Sequence, residues 1–179
     1  VVVKRADKEV TLNIVRDNIT ISSVNLAKKI GEDIGYIHLT GFTTGTADIF
    51  KTELKRLKQS GIKGLIIDLR SNPGGILSEA VDIVGCFVEK GTKVVYTKSK
   101  VKEWDETFST TKDPVDLEIP IVVMVNGESA SAAEIVSGAL QDLDRAVILG
   151  ERTYGKGLVQ TSRSLPFGGS LKLTISKYH

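Results

Sequence analysis

Apolar residues recur along this chain with two different periods, and the switches between them mark out its elements. Residues 36–40 alternate as a strand, GFTTG follows as a turn, and Thr46 stands where an N-cap would open a helix over residues 47–59. Within that helix Phe50, Leu54 and Leu57 share one stripe, with Lys51, Lys55, Arg56 and Lys58 on the solvent side. Residues 64–69 (GLIIDL), apolar but for Asp68, have the pattern of a buried strand. A second helix is predicted over residues 76–89, with Leu77, Ala80, Val81, Val84 and Val88 at helical spacing; residues 94–97 then return as a strand. This β-α-β-α-β order predicts an α/β core with parallel pairing.

The flanks are less regular. Residues 1–24 read as the short strands VVVKR, EVTLNIV and ITISSV joined by the polar turns ADK and RDN. Such a ribbon has too little apolar surface to stand alone. Residues 98–120, with charges around Trp104 and Phe108, read as a solvated connection between strands; a β-hairpin or a cover over a cleft are the alternatives. Past a helix ending near residue 143, residues 146–149 form a strand and 150–155 a turn. Residues 158–164 and 170–176 close the chain as two strands about the turn LPFGG.

At 179 residues, 41% hydrophobic and 26% charged, the chain has the composition of one ordinary globular domain. A net charge of +2 gives no electrostatic footprint for nucleic acid or an anionic membrane. No apolar run reaches transmembrane length, and the first residues carry no signal-peptide pattern. The single cysteine, Cys86, permits no internal disulfide and reads as a buried, inert thiol in an apolar helical run. One cysteine and two histidines without ligand spacing argue against a zinc site.

Candidate chemistry concentrates in residues 121–140, IVVMVNGESASAAEIVSGAL. An apolar β-branched run (121–125) breaks into a small polar loop (126–130), and a run compatible with a helix begins at Ser131. A serine at such a corner is lifted clear of the sheet, and the unpaired N–H groups of the first helical turn supply oxyanion stabilisation. The same residues also read as a capping box, Ser131-x-x-Glu134, which does no more than start a helix. Ser129 is the local competitor; Ser129 and Ser137 read more simply as loop and helix-face residues. In residues 71–75 (SNPGG), between a buried strand and a helix, two glycines allow close approach of main chain to a ligand. Lys156, bracketed by Gly155 and Gly157, either is a surface lysine in a turn or comes back as a base. A lysine at its reference pKa is protonated at neutral pH, so that role requires desolvation or a neighbouring positive charge.

Three motifs, DLRSNPGG at 68–75, the SAS triplet at 129–131 and GERTYGKGLVQ at 150–160, stand in one order, with Lys156 25 residues after Ser131. In these the chain resembles the C-terminal processing peptidases, S41 serine proteases that use a Ser–Lys dyad, and the similarity covers nearly its whole length. The resemblance implies a crotonase/ClpP-like α/β core with a mixed sheet and flanking helices, preceded by a short β-ribbon remnant of a PDZ domain. Residues 1–24 would be the last strands of that module and the return linker, without its peptide-binding part, and residues 25–179 the protease core. It makes Ser131 the nucleophile, Lys156 the general base and Gln160 the residue orienting the lysine amine. Gln160 lies four residues further on, hence on the same side if the segment is extended. A glycine of the pair Gly74 and Gly75 would be one oxyanion donor and Ala132 the second. Glu134, Asp142 and Thr153 match positions of importance in the family and read as support.

The implied activity is serine endopeptidase cleavage of proteins near their C-terminus through an acyl-enzyme, without metal or organic cofactor. The implied partners are polypeptide substrates bound through their C-terminal region, with room for an adaptor or a homo-oligomer, and no nucleic acid. The implied setting is extracytoplasmic, in the periplasm or cell envelope. The chief alternative is a catalytically silent peptide-binding scaffold of the same fold, which predicts a damaged dyad. Residues 150–156 also approach a phosphate-binding loop, yet Gly157 offers no hydroxyl for magnesium and a strand follows where that loop needs a helix. A Ser–His–Asp hydrolase would need a histidine, and neither His38 in mid-strand nor His179 at the last position recommends itself. The core is also similar to crotonase folds, but nothing resembles a CoA site.

Overall fold

In the computed structural model, which describes residues 1–15 and 22–179, the runs 64–69 and 121–125 become the middle of a five-stranded sheet. The chain begins with β1 (Val2–Arg5) and β2 (Lys8–Thr11), a ribbon whose two strands pair with each other. The predicted RDN turn and the first half of the third N-terminal strand lie outside the described residues. The next strand, β3 (Val24–Ile30), pairs antiparallel with β4 (Ile34–Leu39). Its sequence, VNLAKKI, carries no clean alternation, because an edge strand exposed along most of its length needs little apolar surface.

Helix α1 (Thr46–Gln59) buries Phe50, Leu54 and Leu57 as the stripe requires. Its cap is a correction. Thr46 is the first helical residue, and Gly45, at φ 85°, holds the N-cap position. The cap comes from elsewhere: the Glu79 carboxylate accepts hydrogen bonds from the N–H groups of Gly45 (2.9 Å) and Ala47 (2.8 Å), a charge well placed at a helix N-terminus. Strand β5 (Gly64–Asp68) follows, then α2 (Leu77–Val84). This helix is shorter than predicted, stopping at Gly85; Cys86, Phe87 and Val88 are buried in tighter turns just beyond it. Burial pushes the Cys86 thiol up to about 11, in keeping with an inert sulfur.

Strand β6 (Lys93–Ser99) is a second correction. The β-α-β-α-β order suggested a place for it in the parallel core, yet β6 belongs to a separate antiparallel sheet. After a single 3₁₀ turn (Lys102–Trp104) the chain returns as β7 (Glu106–Ser109) against β6, so part of residues 98–120 is the hairpin alternative. Strand β8 (Ile121–Val125), helix α3 (Ala132–Asp142) and strand β9 (Val147–Gly150) follow. Finally β10 (Leu158–Ser164) and β11 (Ser170–Tyr178) form a hairpin, and β11 pairs with β6.

The main sheet therefore runs β3-β4-β5-β8-β9, parallel from β4 onward, and the second runs β10-β11-β6-β7. The core lies between the main sheet and the helices, with Ile37, Leu39, Ile67, Leu69, Val123 and Leu140 fully enclosed. Parallel strands all point the same way, so the loops after β5 and β8 emerge side by side at one end of the sheet, where α/β folds place their ligands. No helix among the described residues is long and apolar enough to cross a membrane.

Candidate active site

Two loops meet at that end, 69–76 after β5 and 126–131 after β8, and they are sewn together by polar side chains. Ser129 is completely buried; its hydroxyl donates to the Leu69 carbonyl (2.7 Å) and accepts from the Asn126 N–H (3.0 Å). Asn126 returns the link, its Oδ1 accepting the Ser71 N–H at 2.8 Å. Asn72, also fully buried, takes the Ala130 N–H on its carbonyl (2.9 Å) and donates its amide to the Leu39 carbonyl (2.9 Å). With its hydroxyl committed in this way, Ser129 is structural.

Ser131 stands where this knot opens into α3. It caps the helix at φ 55° and ψ −115°, a backbone region that non-glycine residues rarely occupy. Its N–H donates to Glu134 Oε2 at 2.8 Å, so the capping box is present as well as the lifted corner. Gly74 (φ 92°) lies against this corner so closely that a Cβ there would sit 2.7 Å from Ser131 Cβ and 2.8 Å from the Ala132 nitrogen. Only glycine fits at that position. The paired glycines now separate in role: the Gly74 N–H donates to Asn72 Oδ1 (2.9 Å). Among the described residues, neither the Gly75 nor the Ala132 N–H has a hydrogen-bond partner.

Glu134 does more than cap. Oε2 also accepts the Lys156 N–H (2.8 Å), while Oε1 accepts the Thr153 hydroxyl (2.8 Å) and the Gly155 N–H (2.6 Å). One carboxylate thus ties the start of α3 to the loop that carries the lysine. Burial alone would raise the Glu134 carboxyl, but the Thr153 hydroxyl and the N–H groups of Gly155, Ser131 and Lys156 hold it below its ordinary value. The loop is further fixed by the Tyr154 N–H, which donates to the Ser129 carbonyl at 3.0 Å.

Ser131 and Lys156 line one cavity of about 520 Å³ between α3 and β6. Lys156 is half-buried, and Asp142 reaches the same cavity from the exposed end of α3. Gln160 is placed differently: it is exposed on β10, and its amide donates to the Thr174 hydroxyl at 3.4 Å. The strand is not continuous with Lys156, and a bulge between Val159 and Gln160 breaks the alternation that would have set both on one side. Tyr178, which sequence reasoning passed over, lines the cavity and turns its hydroxyl toward that of Ser131. Its N–H donates to the Gly157 carbonyl at 3.0 Å, a contact between β11 and the lysine loop with no mark in local sequence.

The class is defined by a mixed α/β fold presenting a serine at the mouth of a helix and a lysine in the same cavity. The sequence profile of peptidase family S41 matches residues 33–179, and the chain belongs to that family. It is 37% identical over 176 residues to a carboxyl-terminal-processing protease of Picosynechococcus, covering 97% of this chain and 42% of the relative. It is 38% identical over 177 residues to a carboxy-terminal-processing protease of Bartonella bacilliformis, covering 97% and 40%. The photosystem II D1 C-terminal processing protease shares the fold at a TM-score of 0.72 and 34% identity, covering 81% of this chain and 37% of that one. The chain thus spans about two-fifths of the length of these relatives.

Proposed function

We propose that this chain is the catalytic core of a serine endopeptidase that cleaves polypeptides near their C-terminus. The observation that carries the reading is the shared cavity: Ser131 and Lys156 open into it together, and one Glu134 oxygen accepts the backbone N–H of both. Ser131 attacks a backbone carbonyl, and the Lys156 amine takes its proton. The carbonyl oxygen becomes an anion held by the Gly75 and Ala132 N–H groups, which the fold leaves unpaired beside Ser131. Lys156 passes the proton to the leaving amine, and water then releases the acyl group from Ser131. Ala132 stands at the first position of α3, where the helix dipole adds to its donor.

Polypeptide substrates and C-terminal processing come from the names of the relatives; the extracytoplasmic setting is what the family resemblance implies. Gln160 keeps its proposed role only if β10 shifts toward Lys156 when substrate binds. A division near residue 24 is supported by pairing, since β1 and β2 form a ribbon of their own while β3, which already includes Val24, is the edge of the main sheet. The scaffold reading loses ground because neither dyad member is replaced. In the full-length protein, Ser131→Ala and Lys156→Ala each lower cleavage of an internally quenched peptide by at least ~10³-fold and leave the thermal midpoint near that of the parent. Full activity in either variant removes the mechanism.

A further inference from the structure

The hairpin of β10 and β11 stands away from the rest of the molecule. Only Ser176, Lys177 and Tyr178 of β11 pair with β6, and β10 pairs with β11 alone. Residues 170–175 and the strand opposite them therefore run on past Ser99, the end of β6, by about 20 Å. A two-stranded ribbon is marginal in water by itself, and this one turns apolar residues outward. Arg163 pairs with Leu171 and Thr161 with Leu173, so the two leucines share one face, where they are 45% and 38% exposed. The opposite face, from Gln160 to Ser164 and from Ser170 to Thr174, is polar throughout.

The apex is rigid rather than slack. The Leu165 carbonyl accepts the Gly168 N–H at 3.1 Å, so Pro166 and Phe167 are the central residues of a tight turn, and Phe167 is 99% exposed. Charge is one-sided as well. Residues 158–179 hold Arg163, Lys172 and Lys177 and none of the chain's 22 acidic residues, which leaves the rest of the chain nearly neutral. The turn between β6 and β7 follows Ser99 and so lies at the same end of the sheet. It exposes Val101 and Trp104 there, while its Lys100, Lys102, Glu103 and Asp105 cancel.

We propose that this end of the antiparallel sheet docks on an anionic phospholipid bilayer. Phe167, Leu165 and the face of Leu171 and Leu173 enter the boundary between headgroups and acyl chains, and Arg163 and Lys172 meet the phosphates. Arg163, on the apolar face, lays its stem along that boundary and keeps its guanidinium in the polar layer. A bilayer needs no matching surface, so it receives a convex apex that offers a protein partner no groove. Docking requires neither Ser131 nor Lys156 and stands apart from the peptidase reading.

Full-length protein is sedimented with vesicles of phosphatidylcholine alone and of phosphatidylcholine mixed with phosphatidylglycerol. It partitions onto the mixed vesicles more strongly by about 10-fold or more, and about 1 M salt removes most of that gain. Phe167→Ser lowers the partition by about 10-fold, and Arg163→Gln combined with Lys172→Gln lowers it by about as much. Thermal midpoints stay with the parent's, since all three side chains are exposed. With Trp104→Phe and Phe167→Trp together, indole emission reports on the apex and shifts to the blue when mixed vesicles are added. Emission already blue without lipid would mean that another part of the chain or a second copy covers the apex, and overturns the proposal. Equal partition onto both vesicles, or a partition indifferent to Phe167→Ser, overturns it as well.

Discussion

The two halves of the site are built to different standards of rigidity. The nucleophile corner is part of the core: Ser129 and Ala133 are fully enclosed, Ala130 and Ala132 nearly so, and the loop after β5 is bonded to it by buried side chains. The lysine loop, residues 150–157, lies on the surface with Tyr154, Gly155 and Gly157 exposed, and leads into a hairpin whose tip residue Phe167 is almost wholly solvated. Cohesion of packed side chains fixes the first half. A few hydrogen bonds fix the second, and three of them end on Glu134. The nucleophile is thus a property of the fold, whereas its pairing with the base is conditional on one carboxylate.

The sharpest way to break this asymmetry is Glu134→Ala. The N–H groups of Ser131, Gly155 and Lys156 lose their acceptor, but the site is partly open and water can replace it, so the stability loss stays near 1–2 kcal/mol. Turnover falls further, by about 100-fold, because a small displacement of a catalytic group is enough for that. Glu134→Gln, with one carbonyl oxygen left to accept, recovers part of the rate. Parallel measurement of kcat and thermal midpoint separates the two effects. Wild-type turnover in Glu134→Ala would show that the lysine loop holds itself.

A test of the rigid half uses Asp68, at the end of β5 where the 69–76 loop departs. Burial would raise its carboxyl, but the paired N–H groups of Arg70 and the Tyr36 hydroxyl (2.6 Å) bring it down to about 2. A depressed carboxyl contributes stability that is complete above its unfolded value of 3.8 and disappears as pH falls through about 2. Asp68 is almost entirely buried, so the contribution is on the order of 2 kcal/mol at neutral pH. Asp68→Asn loses about that much at pH 7, and its deficit against wild type closes between pH 4 and pH 2 in denaturant titrations. A deficit that is constant with pH would mean that the charge is not what holds the loop.

How far each half could be read from residues follows the same division. The apolar runs 64–69 and 121–125 and the stripe Phe50, Leu54 and Leu57 announced the core, because burial on both faces or on one stripe leaves a periodic trace. Strand β3 left none, being an edge, and α2 read too long because apolar spacing continued past Gly85 to Val88. That β6 joins a second sheet is a fact about partners far away in the chain, which no local period records. Ser131 stood out by its corner and Lys156 by its glycines. The breadth of Glu134 did not, since three of its four donors are backbone N–H groups and those of the lysine loop lie more than 20 residues away. The position of Gln160 depended on an unbroken strand, and the bulge beside it is invisible in composition.

The two serines of the SAS triplet are expected to change stability in opposite directions, and the gain at Ser131 is the smallest stability effect of all. Ser129→Ala leaves the Leu69 carbonyl and the Asn126 N–H without the buried hydroxyl that serves both, a loss of about 1–3 kcal/mol, with turnover falling only as the knot loosens. Ser131→Gly removes the nucleophile and with it cleavage, yet its backbone sits at φ 55° and ψ −115°, where glycine is at ease and serine is not. Relief of that strain outweighs the added freedom of glycine in the unfolded chain by about 1 kcal/mol, so the inactive variant is the more stable one. Chemical denaturation of both variants reads the contrast directly. If Ser131→Gly is less stable than wild type, the corner is held without strain, and the rigid half gives up nothing in stability to present its hydroxyl.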